Sequence, residues 1–163
     1  RVVDILKAEF DRSFKLINSK TYPVSGGELN PANVDSEIEA FAQLGVSRGL
    51  DSKEAFYLAN LYGSNAPKVY ALAHSIEQAP GLSLADTLSL HYAMRNELAL
   101  SPVDFLLRRT NHMLFMRDGL DAIVEPVLDE MGRFYDWTED EKAAYRKDVQ
   151  AALANNDLEE LKK

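Results

Sequence analysis

Cysteine is absent from this chain of 163 residues, so neither disulfide bonds nor thiolate chemistry are available to it. This absence fits a reducing compartment, and we expect a cytoplasmic protein. The sequence also lacks any apolar run long enough for a transmembrane helix or a signal peptide. Positive charge is in deficit, because 18 basic and 26 acidic side chains give a net charge of −8. That balance disfavours binding to nucleic acid or to anionic membranes. What remains is a globular chain long enough to bury a real core.

Apolar residues recur at helical spacing through most of the chain, and capping residues precede several of these runs. Asp51 and Ser83 are each predicted to begin a helix, and Thr138 with Glu141 forms a capping box for the last long helix. The fold class is therefore predicted to be all-α. We expect a compact domain of about six to eight helices over residues 35–155, preceded by a short irregular linker.

The ends of the chain and the helix breaks give further predictions. Residues 1–14 are predicted to form an amphipathic helix that either packs on this domain or ends a preceding one. Residues 15–34 are predicted to be a linker, and residues 156–163 a frayed tail. Within the linker, Lys20–Val24 is predicted to be extended. Gly26-Gly27 indicates either a turn that needs positive φ or a glycine turn whose backbone a phosphate can approach. The missing G-x-G-x-x-G spacing favours the first. Because the chain opens without an initiator Met, we expect it to be part of a longer protein.

Two further breaks are predicted in the second half of the sequence. Asp118-Gly119 should separate two helices, and Pro126 should kink or end the second of them. Trp137, beside Phe134-Tyr135, is predicted to anchor the contact between two helices, and an exposed aromatic patch is the alternative.

The segment Ser101–Arg117 carries the strongest local signals. Ser101 is predicted to be an N-cap, Pro102 the first helical residue and Asp104 an acid favoured in the first turn. Asp104 and Arg108 stand four residues apart and can form an ion pair.

Arg109 has no acid on its own helix face and therefore needs a partner from another helix. We predict an interhelical bridge from Arg109 to Glu97, with Arg95 as the rival partner of Glu97. The alternative is an anion site formed by Arg95, Arg108 and Arg109 for a phosphate-bearing ligand.

Histidine, serine and acidic residues give little support for a catalytic or metal site. His74, His91 and His112 form neither H-x-x-x-H nor H-E-x-x-H, so they are predicted to be core or boundary residues. No calcium-loop pattern follows Asp118, and no G-x-S-x-G elbow surrounds a serine. We therefore predict no metal ligand, and hydrolase chemistry finds no support in these patterns.

Several segments together resemble the C-terminal region of the FAD-dependent glycerol-3-phosphate dehydrogenase and α-glycerophosphate oxidase family. The central match is Asp104-Phe-Leu-Leu-Arg-Arg-Thr110 after Tyr92-Ala-Met-Arg-Asn-Glu97. The segments 111–117 and 123–137 look most like the oxidases of lactic-acid bacteria and their relatives. Pro23-Val-Ser-Gly-Gly-Glu28 and Leu61-Tyr-Gly63 match as well, and the resemblance covers essentially the whole chain. The motif positions, which we interpret as structural, are Tyr92, Arg95, Glu97, Asp104, Arg108, Arg109 and Thr110.

This resemblance implies a parent enzyme that oxidises sn-glycerol 3-phosphate to dihydroxyacetone phosphate by hydride transfer to FAD. In the oxidase branch, oxygen is then reduced to hydrogen peroxide, and no membrane attachment is expected. Residues 1–14 would be the last helix of the flavin domain and residues 35–155 its helical C-terminal cap. FAD would be bound by that flavin domain, which would be the cap's main partner, and a homodimer contact is a further option. The cap alone is expected to be inactive.

Three alternatives stay open at this point. The parent could belong to the quinone-linked dehydrogenase branch, the chain could be a helical module that binds a protein partner, or the arginine cluster could make it a phosphate-binding regulatory cap.

Overall fold

The computed structural model describes residues 2–10, 18 and 20–155, and over these residues the chain is all-α, as predicted from the sequence. No strand occurs within the described ranges. The sequence-based expectation of six to eight helices in the domain agrees with the seven α-helices described from Val34 onward, and an eighth lies at Val2–Phe10. Short 3₁₀ turns at Gly63–Asn65 and Leu72–His74 and a π-helical turn at Asp104–Arg109 complete the architecture. The α-helices are α1 Val2–Phe10, α2 Val34–Ser47, α3 Ser52–Tyr62, α4 Ala66–Ala71, α5 Leu84–Asn96, α6 His112–Phe115, α7 Arg117–Tyr135 and α8 Glu139–Asn155.

The first core is built by α2, α3, α4 and one side of α5. α2 can lie close to α3 because its interface position is Gly45, where an added Cβ would stand 2.9 Å from the Ala55 Cβ and 2.9 Å from the Tyr70 ring. Tyr70 is fully buried, and its hydroxyl donates to the Ala55 carbonyl at 2.8 Å. Burial raises the pKa of Tyr70 to about 12, so the hydroxyl keeps its proton.

The second core is built by the other side of α5, the π-helical turn, α6, α7 and α8. Trp137 lies where α7 passes into α8, and its ring stacks on Tyr135 and Tyr145 at centroid distances of 5.8 and 4.1 Å. The Tyr135 hydroxyl donates to the Ala99 carbonyl at 2.8 Å. Trp137 therefore anchors two helices, as the sequence predicted.

The predicted helix caps are present. Asp51 accepts hydrogen bonds from the backbone N–H groups of Lys53 and Glu54, and Ser83 accepts one from Asp86. Thr138 and Glu141 bond reciprocally at the start of α8, which is the predicted capping box. These side chains satisfy donors that have no partner in the first turn of a helix.

Two predicted breaks do not occur, whereas the kink that was the alternative at Pro126 stays a prediction. α7 begins at Arg117, so Asp118 and Gly119 lie inside its first turn and do not separate two helices. The Gly119 N–H donates to the Met116 carbonyl at 3.2 Å, and the glycine costs this turn only backbone entropy. α7 also continues through Pro126, whose ring occupies the space beside Gly81, 2.6 Å from where a Cβ on that glycine would stand.

The linker differs from prediction in one respect and agrees in another. Lys20 and Thr21 form a turn, so the extended piece predicted to start at Lys20 does not begin there, and residues 22–24 are not part of a strand. Gly26 has φ +85°, and its carbonyl accepts a hydrogen bond of 3.0 Å from the Ser64 N–H beyond the end of α3. A Cβ on Gly26 would lie 2.8 Å from the Tyr62 carbonyl oxygen. This turn is packed against the domain, so the phosphate-approach alternative finds no support.

The remaining terminal predictions lie partly outside the described residues. The described part of the predicted first helix is α1, Val2–Phe10. Residues 11–14 of that prediction and residues 156–163 of the predicted tail lie outside the described residues. Ile5 and Phe10 on α1 are largely exposed. Among the described residues, no helix is long and apolar enough to cross a membrane.

Candidate functional site around the arginine pair

Ser101 and Asp104 begin the segment that carries the arginine pair. The Ser101 hydroxyl accepts from the Asp104 N–H at 3.2 Å, which confirms the predicted N-cap. In return, the Asp104 Oδ2 atom accepts from the Ser101 N–H at 3.0 Å, from its hydroxyl at 2.9 Å and from the Leu100 N–H at 3.2 Å. Burial alone would raise the pKa of Asp104, but its hydrogen bonds to Ser101, Arg108 and Leu100 outweigh that cost and lower it. Asp104 is thus an ionised anchor for the turn.

The helix then widens into a π-helical turn over Asp104–Arg109. Its last hydrogen bond runs from the Thr110 N–H to the Phe105 carbonyl, five residues back, at 3.0 Å. The Thr110 hydroxyl donates to the same carbonyl at 3.0 Å, and Asn111 follows in the left-handed region with φ +57°. Thr110 therefore closes the turn with both its backbone and its side chain, and α6 can start in a new direction.

Arg108 points back along its own helix. Its Nη1 atom lies 2.5 Å from the Asp104 Oδ1 atom, which confirms the predicted pair. The Arg108 side chain is 57% exposed, so the ion pair contributes only a few tenths of a kcal/mol, about what exposed pairs contribute in general.

Arg109 reaches the end of α5, as predicted, but its main acceptor is a backbone group. The Glu97 carbonyl oxygen accepts from Nε at 3.2 Å and from Nη2 at 2.5 Å. The Glu97 carboxylate is farther away, with Oε2 at 3.7 Å from Nε. Burial raises the pKa of Glu97, and the nearby Arg109 offsets this only in part. Arg109 thus acts first as a cap for the C-terminal end of α5, where a cation is favoured.

Arg95, the rival partner considered for Glu97, lies elsewhere. Its guanidinium carbon is 5.6 Å from the centre of the Phe134 ring, a cation–π contact with α7. Each arginine of the cluster therefore has its own partner: a ring for Arg95, a carboxylate for Arg108, and a carbonyl with a carboxylate nearby for Arg109. Because the carboxylates of Asp104 and Glu97 stand beside two of the three cations, the arrangement does not favour an added phosphate.

Tyr92 completes the motif on the buried side of α5. Its ring meets the ring of Tyr62 edge-on at 5.2 Å, and its carbonyl accepts from the Asn96 amide. Burial, with the charge of Glu97, raises the pKa of Tyr92. All seven motif residues therefore contact their own domain, and their interpretation as purely structural residues stays a prediction.

The buried histidines include a pair that sequence reasoning did not find. The His91 Nε2 atom lies 2.8 Å from the Glu130 Oε1 atom, and both side chains are about nine-tenths buried. Glu130 also contacts Arg133. These partners are far apart in sequence and share no spacing rule, so no local signal could have indicated them.

His112 is the second buried histidine. Its Nε2 atom lies 3.2 Å from the Tyr57 hydroxyl, while its Nδ1 atom has no hydrogen-bond partner within the described part of the chain. Burial lowers the pKa of His112, and the charge of Asp86 opposes the shift in part. His91 and His112 are thus core residues, as predicted, whereas His74 is exposed beside Arg48.

The comparisons with known proteins match this architecture. A sequence model of the family described as the C-terminal domain of alpha-glycerophosphate oxidase covers residues 17–142. The chain is 93% identical over 162 residues to an alpha-glycerophosphate oxidase of Streptococcus pneumoniae, covering 99% of this chain and 27% of that protein. It is 43% identical to the alpha-glycerophosphate oxidase of Lactococcus lactis, again over 99% of this chain and 27% of the relative.

A solved structure shows the same fold. The glycerol-3-phosphate dehydrogenase of Bacillus halodurans, solved in complex with FAD, matches with a TM-score of 0.83 and 26% identity. The match covers 93% of this chain and 31% of that chain. The fold therefore defines a class of helical domains that occur within larger oxidoreductases.

Within that class, the chain belongs to the family of C-terminal domains of alpha-glycerophosphate oxidases. It spans about a quarter of the length of the curated relatives it matches. The resemblance recognised from the Asp104–Thr110 and Tyr92–Glu97 motifs is thereby confirmed.

Proposed function

We propose that this chain is the helical C-terminal cap of an FAD-dependent α-glycerophosphate oxidase. The parent enzyme oxidises sn-glycerol 3-phosphate to dihydroxyacetone phosphate, passing a hydride to FAD, and the reduced flavin then gives two electrons to oxygen to form hydrogen peroxide. The observation that carries this proposal is the 93% identity to the Streptococcus pneumoniae oxidase along nearly the whole chain.

FAD is held by the part of the parent that precedes the cap, since the residues of this chain do not suit it. Its one glycine pair lies in the linker turn, where the Gly26 carbonyl is already bonded to the Ser64 N–H and the space at its Cβ is filled by the Tyr62 carbonyl. The arginine cluster is engaged by Phe134, Asp104 and Glu97. We therefore assign no catalytic and no flavin-binding residue to the described part of this chain.

In this proposal the cap has a structural role, as a domain connected to the flavin domain through α1 and the linker. Residues 1–14, of which Val2–Phe10 are described as α1, belong to the flavin domain in this proposal, and residues 15–34 link that domain to the cap. The exposed apolar side chains of α1, Ile5 and Phe10, suit a helix that packs on another body. The bond between Gly26 and Ser64 fixes this part of the linker to the cap.

The experiment uses the full gene product that includes the flavin domain, with its visible spectrum recorded under anaerobic conditions. We expect a yellow protein that is bleached by sn-glycerol 3-phosphate and forms one hydrogen peroxide per substrate when air is admitted. The control is the 163-residue chain alone, which should be colourless and inactive. A colourless full-length protein that binds no flavin would refute the proposal.

A second candidate, the quinone-linked dehydrogenase, is favoured by the structural match to the Bacillus halodurans enzyme. The same spectrum separates the two, because a dehydrogenase would bleach with substrate and be reoxidised by a quinone without forming peroxide.

A further inference from the structure

A group of large apolar side chains is exposed across α3 and the segment 114–116. Phe115 is 80% exposed, Met116 58% and Phe56 50%. Three consecutive exposed apolar residues at 114–116 exceed the single scattered apolar residues that are normal on a soluble surface. We call this group the α3–α6 surface; it consists of Val46, Phe56, Tyr57, Leu114, Phe115 and Met116.

Two concavities give this surface its shape. A cavity of about 420 Å³ lies between α3, the start of α5 and the start of α7, with Tyr57, Met116 and Ile123 among its walls. A groove of about 590 Å³ runs between α2 and α3 past Val46 and Phe56. Lys53 lines both, so the two concavities adjoin. The surface thus presents apolar ridges beside preformed hollows, the shape that packed interfaces use.

The backbone holds the 114–116 side chains outward. Asn111, in the left-handed region, starts the single turn of α6, where the Phe115 N–H donates to the Asn111 carbonyl at 3.1 Å and the Met116 N–H to the His112 carbonyl at 2.9 Å. The buried residues His112 and Met113 fix one side of this turn in the core. Leu114, Phe115 and Met116 are left on the other side, where the described part of the domain does not cover them.

The α3–α6 surface also carries charged side chains beside its apolar residues. Glu54 and Asp86 stand at the cavity between α3 and α5, and Lys53 is the cation among the side chains described in its lining. The matching partner is an apolar segment that carries a basic side chain opposite these two acids.

We propose that the α3–α6 surface is the docking site for the flavin domain of the same polypeptide. This inference rests on the proposed function. Nearly three quarters of the Streptococcus pneumoniae relative lies outside the region matched by this chain, which leaves a large body tethered to the cap. Domains joined in one chain typically bury roughly 600–1,500 Å² between them, and a surface with apolar ridges and adjoining hollows offers that contact. A tethered partner also meets the cap at high effective concentration, so a moderately sized apolar patch is enough to bind it.

The test uses a thiol probe, because the chain has no cysteine of its own. Phe115→Cys places a thiol on the α3–α6 surface, and Leu100→Cys places one on a side chain 57% exposed at the far end of α5 as the control. Each variant is prepared as the 163-residue chain and as the full gene product with its flavin domain. The rate of maleimide labelling is read by mass spectrometry on the peptide that contains the introduced cysteine.

We expect the labelling rate of Phe115→Cys to fall at least tenfold in the full gene product, while Leu100→Cys labels at a similar rate in both. Equal rates for Phe115→Cys in the two proteins would overturn the docking site. Protection that appears in the 163-residue chain as its concentration rises would also overturn it, because the occupant would then be a second copy of the cap.

The flavin absorbance of the same samples tests the proposed function separately. A colourless full gene product refutes the flavin enzyme, whereas a yellow, substrate-bleached protein with an unprotected Phe115→Cys refutes only the docking site. The two failures are therefore distinguishable.

Discussion

Replacing Glu97 by glutamine should cost little stability, although the residue stands beside Arg109 in the motif. The Glu97 carboxylate is 3.7 Å from the Arg109 Nε atom, a distance at which two unit charges attract by about 1 kcal/mol in water. Both side chains are about 30% exposed, so solvent screens most of this attraction. The stronger bonds go to the Glu97 carbonyl, which glutamine retains.

Arg109→Ala should behave differently, because it removes both hydrogen bonds to that carbonyl at the end of α5. Hydrogen bonds from charged donors contribute roughly 1.5–3 kcal/mol, so we expect a loss of about 2 kcal/mol. Glu97→Gln should stay within about 0.5 kcal/mol of the wild type. Arg108→Ala breaks an exposed ion pair and serves as the control. It should lower the free energy of unfolding by about 0.5 kcal/mol or less.

The assay is urea unfolding of the 163-residue chain followed by circular dichroism, with the slope checked to be unchanged among variants. The double variant Glu97→Gln/Arg109→Ala completes a cycle whose coupling energy we expect to be below about 1 kcal/mol. A coupling near 3 kcal/mol would mean that the carboxylate is the principal partner of Arg109, and the reasoning from the carbonyl would be wrong.

The pH dependence gives an independent check. The pKa of Glu97 is raised in the folded protein, so the folded state holds this proton more tightly than the unfolded chain does. The stability from that proton is fully present below the unfolded pKa and is lost as the pH rises through the folded pKa. The wild type should therefore lose stability relative to Glu97→Gln as the pH rises from the unfolded pKa of Glu97 through its raised folded pKa. The opposite trend would refute the assigned direction.

Three other substitutions test the remaining features. Asp104→Ala should cost about 1–2 kcal/mol at pH 7, as the loss of a helix cap does. Because the pKa of Asp104 is lowered, this cost should disappear as the pH falls through the folded pKa, which acid titration of both proteins would reveal. Gly45→Ala should cost about 1–3 kcal/mol by overpacking against Ala55 and Tyr70, measured by urea unfolding with the exposed Gly119→Ala as comparison. Leu98→Gly should raise stability by about 0.5 kcal/mol, since Leu98 has φ +54° and a glycine removes that strain; a lower melting temperature would contradict this.

The helix boundaries were predictable wherever a side chain decides them locally. Asp51, Ser83, Ser101 and Thr138 each begin a helical segment by bonding N–H groups two or three residues ahead, and that spacing is visible in the sequence. The break predicted at Asp118-Gly119 was wrong because glycine only lowers helix propensity. Packing of the rest of α7 on the second core can override that cost.

The sequence predicted which residues of the candidate site pair with each other, but not which atoms form the hydrogen bonds. Sequence reasoning paired Arg109 with Glu97 because neither residue had a complementary charge on its own helix, and the two do meet. That the backbone carbonyl would be the main acceptor depends on where α5 ends, which no single residue determines. The π-helical turn depends on the fit of Phe105 in the core and on the bond from Thr110, so it has no local signature.

The central position of α5 has a consequence for how the molecule comes apart. Ala85, Leu88 and Tyr92 belong to the first core, while Leu90, Ala93 and Met94 belong to the second. α5 thus contributes side chains to both cores. If one core unfolds, the apolar surface of the other becomes exposed. The two halves should therefore unfold as a single cooperative unit, with one calorimetric transition whose measured enthalpy equals its van't Hoff enthalpy. Proteases would then meet helices α2–α8 either all folded or all open, which would protect the cap from piecemeal cleavage.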